Sequence, residues 1–284
     1  MNFQKVGVVG SGIMGGGIAE VAATAGATVI LRSRTLETAD ALLEGLEKSL
    51  TKKVVKQGLS QSDAGSIRSR VSATVDINDL ADCDLIIESV VEYLAVKKRI
   101  FGELDRVMRS DAILATNTST LSVMELATMI SHPERVCGLH FFNPATTMPL
   151  VEIVRPLTAS DETIASVTRF AIACGKEPVE VSDRAGFIVN ALLFPYLNHA
   201  VRLFDEDVAT IEGIDAAMKG GCGFPMGPFA LLDLVGLDTS LAILEALYLA
   251  FDDAYFAPEP LLRKMVSDGQ LGRKSGRGFY DYGQ

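Results

Sequence analysis

The sequence lacks tryptophan and has only three histidines and four cysteines in 284 residues. Cys83, Cys137, Cys174 and Cys222 are scattered without the close pairing that a disulfide framework or a structural zinc site requires. We therefore expect no metal and a reducing, cytoplasmic setting. Any acid–base role for histidine must fall on one of the three imidazoles.

Positive charge is also scarce, because 26 basic residues stand against 36 acidic ones and leave a net charge of −10. Such a chain has no general electrostatic reason to bind nucleic acid, and an anionic substrate would need a local basic patch. Long apolar runs are absent as well. The longest uncharged stretch, Ala185–Val201, contains several polar residues and falls just short of a spanning length, so we expect no membrane partner. A glycine-rich loop begins at Gly10 after one short apolar run, which predicts no secretory signal.

The first part of the chain alternates short β-rich runs with helical stretches. Strands are predicted at residues 6–10, 28–31, 84–88, 112–115, 135–141, 150–154 and 178–181, with helices towards residue 25 and over 36–57 and 95–108. This alternation predicts an α/β domain of the Rossmann type, with a mainly parallel sheet covered on both faces. The order of the strands is not readable from the sequence.

The pattern changes after Asp183, where apolar residues recur at helical spacing and no β-run appears. Helices are predicted over residues 187–204, 211–219, 229–249 and 260–267. We therefore expect two domains: residues 1–184 bind the cofactor, and residues 185–284 form an all-helical C-terminal domain.

Gly10-Ser-Gly12-Ile-Met-Gly15 is a GxGxxG sequence between a predicted strand and a predicted helix. The first glycine permits a tight turn, the second lets the backbone approach a pyrophosphate, and the third permits close packing of helix on strand. Ile13 and Met14 lie between the second and third glycines, and we expect them to contact the cofactor as well. Although a glycine-rich turn alone would be weak evidence, its context on both sides predicts a dinucleotide cofactor.

The end of the second predicted strand departs from the usual pattern. An acidic residue there normally binds the adenosine ribose hydroxyls, but this chain has Ser33 between Arg32 and Arg34. Arginine at this place can accommodate a 2′-phosphate, so the cofactor is NAD or NADP. The alternative is that both arginines are solvated surface residues.

His140 is the best candidate for the group that takes a hydroxyl proton as hydride leaves carbon. It ends a predicted strand, and Glu152 lies in the next one, where a carboxylate could fix the tautomer of the imidazole. Ser119 follows another predicted strand, at the sheet edge where ligands bind. Spacing alone leaves open that His140 is a structural histidine.

Several motifs occur together in a fixed order. They are Gly10-Ser-Gly-Ile-Met-Gly15, Asn117-Thr-Ser119, His140-Phe-Phe-Asn-Pro144, Gly186-Phe-Ile-Val-Asn190, Pro225-Met-Gly-Pro228 and Gly276-Arg-Gly-Phe-Tyr280. Over essentially its full length the chain resembles the 3-hydroxyacyl-CoA dehydrogenase family, close to the stand-alone enzymes that act on 3-hydroxybutyryl-CoA. The resemblance implies oxidation of the 3-hydroxyl of a short acyl-CoA with NAD or NADP.

The resemblance also implies roles for matching positions. His140 would be the catalytic base paired with Glu152, and Ser119 and Asn190 would orient the substrate, with Ser119 also near the nicotinamide ribose. The positions that match cofactor contacts are Glu92, Lys97, Asn143 and Lys274. Each of these residues could instead have only a surface or capping role.

The predicted helix at residues 36–57 concentrates lysines in an otherwise acidic chain. Ser49 and Lys56 match CoA-contacting positions of the family, and Lys52 shares a helix face with Lys56. A solvated basic face is the plain alternative. The family and the apolar C-terminal helices also imply a homodimer. Two rival functions remain: a dehydrogenase of a free hydroxy or sugar acid on the same fold, and a non-catalytic dinucleotide-binding protein.

Overall fold

A computed structural model describes residues 3–283 of the chain. The chain divides into two compact units, Met1–Asp183 and Arg184–Gln284. The first unit contains β1 (Lys5–Val9), α1 (Ile13–Thr24), β2 (Thr28–Arg32), α2 (Leu36–Gln57), α3 (Gln61–Ser69), β3 (Val71–Thr74), β4 (Leu85–Glu88), α4 (Leu94–Asp105), β5 (Ile113–Thr116), α5 (Val123–Ala127), β6 (Val136–Phe141), β7 (Leu150–Arg155), α6 (Asp161–Ala173) and β8 (Glu177–Ser182).

The eight strands form one sheet in the order β3-β2-β1-β4-β5-β6-β7-β8, and only the β6–β7 pair is antiparallel. The chain runs outward from β1 through β2 and β3, then returns to β4 on the other side of β1. In sheets of this kind ligands bind at this reversal, beyond the carboxyl ends of the strands. The loop after β1, which carries the glycines, is therefore at the binding edge.

The central strands are apolar along their length because helices cover both faces of the sheet. Val6, Val8, Val29, Leu85 and Ile87 are buried in one continuous core that also takes in helix residues.

Helix α2 has the predicted bounds, and local signals at both ends explain them. The Thr35 hydroxyl accepts a hydrogen bond from the Thr38 N–H at the start, and Gly58 adopts the left-handed conformation with φ 74° at the end. The side chains of Leu46 and Leu50 are buried in the core of the first unit. The face opposite to them is therefore exposed to solvent.

The second unit is helical, with α7 (Val189–Asp205), α8 (Ile211–Cys222), α9 (Pro228–Val235), α10 (Leu237–Phe251) and α11 (Pro260–Ser267). Its own core includes Phe194, Leu197, Phe229 and Leu244. A parallel α/β sheet followed by helices confirms the predicted fold class.

One predicted element is wrong. The apolar stretch at residues 229–249 is two helices, α9 and α10, bent by 96° at their junction. Gly236 joins the two helices with a φ of 102°, a backbone conformation that residues with a side chain rarely adopt. The sequence prediction also omitted α3, β3, α5 and α6. In α3 only Ala64 and Ile67 are buried, which leaves a weak apolar pattern.

Candidate active site

The glycine loop after β1 is shaped by close backbone contacts at two of its three glycines. A Cβ added to Gly10, which has φ 137°, would lie 2.2 Å from the Ser89 carbonyl oxygen, and one added to Gly15 would lie 2.2 Å from the Gly10 oxygen. At Gly12 the same addition would meet no atom of the described chain within 4 Å. The first and third glycines are thus required by packing, and the second borders open space.

That open space lies at the N-terminus of α1. Gly12 is the N-cap, and within residues 3–283 no side chain accepts a hydrogen bond in its place. Helix N-termini attract anions through their N–H groups and dipole. Ile13 is 81% exposed beside the loop. These residues fit the pyrophosphate of a dinucleotide.

The structure shows which of the three residues at the end of β2 are buried and which are exposed. Ser33 is buried, and its Oγ is hydrogen bonded to Thr38 Oγ1 at the first turn of α2. Its N–H donates to the Thr74 carbonyl oxygen. Arg34 is exposed, whereas Arg32 is partly buried. Of the two arginines beside Ser33, Arg34 is thus the more solvent-accessible.

His140 and Glu152 are directly opposite each other in the antiparallel β6–β7 pair. The Nδ1 atom of His140 lies 2.7 Å from Oε2 of Glu152, and their side chains are 6% and 1% exposed. An ionised carboxylate can only accept, so Nδ1 is the donor of this bond, and in the neutral imidazole the lone pair is then on Nε2. The ring of Phe142 lies 4.5 Å from the imidazole ring. This arrangement gives a buried, oriented imidazole of the kind that a general base needs.

Ser119 lies in the loop that follows β5, and one carboxylate holds this loop. Glu92 Oε1 accepts hydrogen bonds from the N–H groups of Ser119 at 2.8 Å and Thr120 at 3.1 Å, and from the Thr118 hydroxyl at 2.5 Å. Burial alone would raise the pKa of Glu92, but Lys97 and these donors outweigh it, so the pKa lies below its ordinary value. Glu92 is therefore a carboxylate at neutral pH.

Lys97, which matches a cofactor contact of the family, is almost completely buried. Its Nζ lies 2.9 and 3.1 Å from the two oxygens of Glu88, 3.3 Å from Oε2 of Glu92 and 3.4 Å from the Val90 carbonyl oxygen. An ammonium has three protons, and these partners can accept all of them.

Asn117 joins the ends of three neighbouring strands. Its Oδ1 accepts from the Phe141 N–H at 2.8 Å, and its Nδ2 donates to the Ser89 hydroxyl at 3.4 Å. Asn143 follows β6 and is exposed. The loop after it is held by Lys176, whose Nζ donates to the carbonyl oxygens of Ala145 and Met148 at 2.6 and 2.8 Å.

The exposed face of α2 forms a shallow groove of about 570 Å³. It is lined by Glu44, Glu47, Lys48, Thr51, Lys52, Val55 and Lys56. Lys53 instead turns inward and pairs with the buried Glu20 at 2.8 Å. Lys52 and Lys56 thus share the outward face, whereas Ser49 is partly buried beside the groove residues.

Two residues that the resemblance implicates belong to the second unit. Asn190 is the second residue of α7 and is buried. Lys274 lies in a short 3-10 turn, Arg273–Ser275, and is ion paired with Asp238.

The sequence prediction missed Glu88, Asn117, Thr118 and Lys176, which support the residues that it named. Glu88 had a readable signal, because an acid at the end of a buried strand on the ligand-binding edge is rarely placed there for solubility. Lys176 had no readable signal in the sequence, since only folding brings its carbonyl partners next to it.

Within residues 3–283, no group of three or more histidine, cysteine, aspartate or glutamate side chains could hold a metal ion. In the same part of the chain no single helix is long and apolar enough to cross a membrane. Only the bent pair α9–α10 meets the length and composition criteria when its two helices are taken together.

Both units match known domains. Residues 5–184 match the NAD binding domain of 3-hydroxyacyl-CoA dehydrogenase, and residues 186–282 match its C-terminal domain. The chain is 47% identical over 286 residues to a 3-hydroxybutyryl-CoA dehydrogenase of Mycobacterium tuberculosis, covering 99% of both chains. It is 46% identical over 279 residues to one of Clostridioides difficile, covering 98% of this chain and 99% of the relative.

A solved structure gives the same result. The (S)-3-hydroxybutyryl-CoA dehydrogenase of Ralstonia eutropha superposes with a TM-score of 0.97 at 38% identity, covering 100% of each chain. The resemblance inferred from the motifs is confirmed, and with it a Rossmann-type oxidoreductase that uses NAD or NADP. The chain belongs to the 3-hydroxyacyl-CoA dehydrogenase family.

Proposed function

We propose that this protein interconverts (S)-3-hydroxyacyl-CoA and 3-ketoacyl-CoA, with 3-hydroxybutyryl-CoA as its preferred short-chain substrate. The observation that supports this most strongly is the His140–Glu152 pair, buried in the same unit as a dinucleotide loop. Relatives that match over nearly the whole chain have the corresponding activity.

In the oxidation, His140 Nε2 takes the proton of the substrate 3-hydroxyl. Glu152 holds the imidazole through Nδ1 and stabilises the imidazolium that forms. A dinucleotide held by the Gly10–Gly15 loop would supply the acceptor for the hydride of C3. In the reverse direction the imidazolium returns the proton to the substrate oxygen as the hydride arrives.

Ser119 and Asn190 are proposed to hydrogen bond the reacting oxygen and to orient the substrate. Such donors accelerate the reaction when their bonds strengthen as charge develops on oxygen. Ser119 has the support of a loop whose backbone is fixed by Glu92. The role of Asn190 rests on its motif and its burial.

Gly12 at the start of α1 would hold the pyrophosphate of the cofactor, and residues at the end of β2 would hold its adenosine ribose. The remaining proposed contacts are Gly10, Ile13, Met14, Gly15, Ser33, Arg34, Glu92, Lys97, Asn143 and Lys274. Because Ser33 is already bonded to Thr38, Arg34 contributes more than Ser33 to the choice between NAD and NADP.

The CoA moiety is proposed to bind along α2, where Ser49, Lys52 and Lys56 contact its phosphates. The groove beside Lys52 and Lys56 and the net negative charge of the rest of the chain support this. Concentrated lysines give the anionic substrate an attractive local field that the acidic chain otherwise lacks.

We also propose a cytoplasmic homodimer. The second unit exposes apolar side chains, including Leu192 at 69% and Leu249 at 86%, which a partner copy would cover. Burial raises the pKa of the Cys83 thiol to about 11 and that of Cys137 to about 12, as expected for unreactive thiols in a reducing compartment. Light scattering after size exclusion tests the dimer, and a monomer at micromolar concentration would contradict it.

The proposed activity is tested by incubating the protein with acetoacetyl-CoA and NADH or NADPH, and identifying the product by chiral chromatography. We expect (S)-3-hydroxybutyryl-CoA in an amount equal to the cofactor oxidised. No turnover with either cofactor, or the (R) product, would contradict the proposal.

A further inference from the structure

The loop that carries Ser119 is held by one side chain from a distant part of the sequence. Glu92 Oε1 accepts from the Ser119 and Thr120 N–H groups and from the Thr118 hydroxyl. Thr118 Oγ1 in turn accepts from the Leu121 N–H at 3.1 Å. The backbone on both sides of Ser119 is therefore fixed by a single carboxylate.

Glu92 is itself held by a buried charge. Its Oε2 lies 3.3 Å from Nζ of Lys97, which is bound on its other side by Glu88. Glu88 also accepts from the Val90 N–H and the Thr116 hydroxyl, both at 2.7 Å. Glu88, Lys97 and Glu92 thus form a connected chain of ionic contacts from the end of β4 to the Ser119 loop.

The charges of Glu88, Lys97 and Glu92 explain why these residues hold the Ser119 loop firmly. Two carboxylates share one ammonium, which leaves one negative charge to be satisfied by uncharged donors. The donors that satisfy Glu92 are those of the Ser119 loop, and hydrogen bonds to an ionised acceptor are roughly twice as strong as neutral ones. The Glu92 side chain is 37% exposed, so movement of this loop would exchange these charge-assisted hydrogen bonds for bonds to water.

We propose that Glu92, held in place by Lys97 and Glu88, is a positioning residue for Ser119. It acts on the reaction through the backbone of the Ser119 loop, in addition to any contact with the cofactor ribose. This inference rests on the proposed function, because it gives Ser119 a part in catalysis.

A double-mutant cycle separates this role from direct cofactor binding. The variants are Glu92→Ala, Ser119→Ala and the double variant, and the readouts are kcat/KM for acetoacetyl-CoA and the Kd of NADH by fluorescence titration. A misplacement of about 1 Å can cost about a hundredfold, so we expect Glu92→Ala to lose about 10- to 100-fold in kcat/KM. In the Ser119→Ala background the same change should cost less than about threefold.

The Kd of NADH should rise in Glu92→Ala by clearly less than kcat/KM falls, since the proposed ribose contact is lost but the pyrophosphate loop is untouched. Multiplicative losses in the cycle, or a Kd that rises as much as kcat/KM falls, would overturn the proposal. Turnover by the wild type is measured first. If it is absent, the proposed function fails and this inference with it, whereas an active wild type with a multiplicative cycle defeats this inference alone.

Thr118→Val tests the proposal if Glu92→Ala does not fold. It keeps the Glu92 carboxylate but removes one of the donors that tie it to the loop. We expect a loss of about threefold to tenfold in kcat/KM, absent in the Ser119→Ala background, with NADH affinity unchanged.

Lys98→Met is the matched control. Lys98 is the neighbour of Lys97 on α4, and its Nζ pairs with Glu125 of α5 at 2.5 Å rather than with Glu92. We expect full activity, and a loss as large as that of Thr118→Val would overturn the proposal by showing that any weakening of α4 is enough.

Discussion

Replacing Glu152 with glutamine removes one charge from the centre of the proposed site and leaves its shape almost unchanged. The carboxylate is 1% exposed and lies 2.7 Å from His140 Nδ1. The new amide fills nearly the same volume, and its oxygen can accept a hydrogen bond from Nδ1–H. The change therefore isolates the electrostatic contribution of Glu152 to the imidazolium that forms during proton transfer.

The expected size follows from this geometry. With the two charge centres about 4 Å apart and an effective dielectric constant of about 20, the attraction is about 4 kcal/mol. Each 1.36 kcal/mol is about a tenfold change in rate, so full loss would slow the step by about 10³-fold. The amide dipole recovers part of this, and we expect kcat to fall by about 10²- to 10³-fold.

The assay is the rate of acetoacetyl-CoA reduction by the wild type, Glu152→Gln, His140→Ala and the double variant. His140→Ala should lose about 10²- to 10⁴-fold, as is typical for removal of a general base. Because Glu152 acts through His140, the double variant should be close to His140→Ala alone. The Kd of NADH should stay within about threefold of the wild-type value in all four proteins.

Two results would refute this reasoning. A Glu152→Gln enzyme within about threefold of the wild type would show that the carboxylate does not stabilise the imidazolium. Independent losses that multiply in the double variant would show that the two residues do not work as a pair, whatever their distance in the structure.

Three further predictions concern the lysine face of α2, the choice between NADH and NADPH, and the stability of the fold in acid. Lys56→Glu should raise KM for acetoacetyl-CoA more than it lowers kcat, since the CoA phosphates lie far from C3; steady-state kinetics that show an unchanged KM would mean a merely solvated face. Wild type should accept NADPH at least comparably with NADH; Ser33→Asp should shift kcat/KM towards NADH and Arg34→Ala should weaken NADPH more than NADH. A wild-type preference for NADH above about a hundredfold, some 2.7 kcal/mol, would contradict this. Burial alone would raise the pKa of Asp84, but two backbone N–H donors and Arg109 lower it, so stability is lost as pH falls below the ordinary carboxyl range. Urea midpoints at pH 7 and at pH 3, below the ordinary pKa of 3.8, should differ less in Asp84→Asn than in the wild type, and equal differences would refute this role.

Much of the fold could be predicted because its signals are local. Helix α2 begins after a threonine cap and ends at a glycine, so both bounds could be read from the sequence. Helix α6 also had a readable start, Ser160 followed by two acidic residues, and was nevertheless omitted. The bend at Gly236 was missed because the apolar pattern continues across it, and a pattern of burial does not report the direction of a helix.

For the candidate site, the residue types and the succession of two predicted strands were enough to suggest that His140 lies near Glu152, and the structure shows that the two residues face each other in an antiparallel pair. The direction of the Ser33 hydroxyl could not be predicted, because its partner Thr38 is brought next to it by the first turn of α2. The burial of Lys97 was equally hidden, as it depends on Glu88 from a different strand. Side-chain partners of this kind are set by tertiary structure and not by the local sequence.

We propose that this enzyme acts on the acyl-CoA thioester and recognises its CoA moiety. The most direct test compares kcat/KM for acetoacetyl-CoA and for free acetoacetate, at equal ionic strength and with the better of the two cofactors. We predict a preference for the thioester of at least about a hundredfold, because the free acid lacks the CoA phosphates that the lysines of α2 would bind. Equal values for the two substrates would contradict the account and would favour a dehydrogenase of free hydroxy acids.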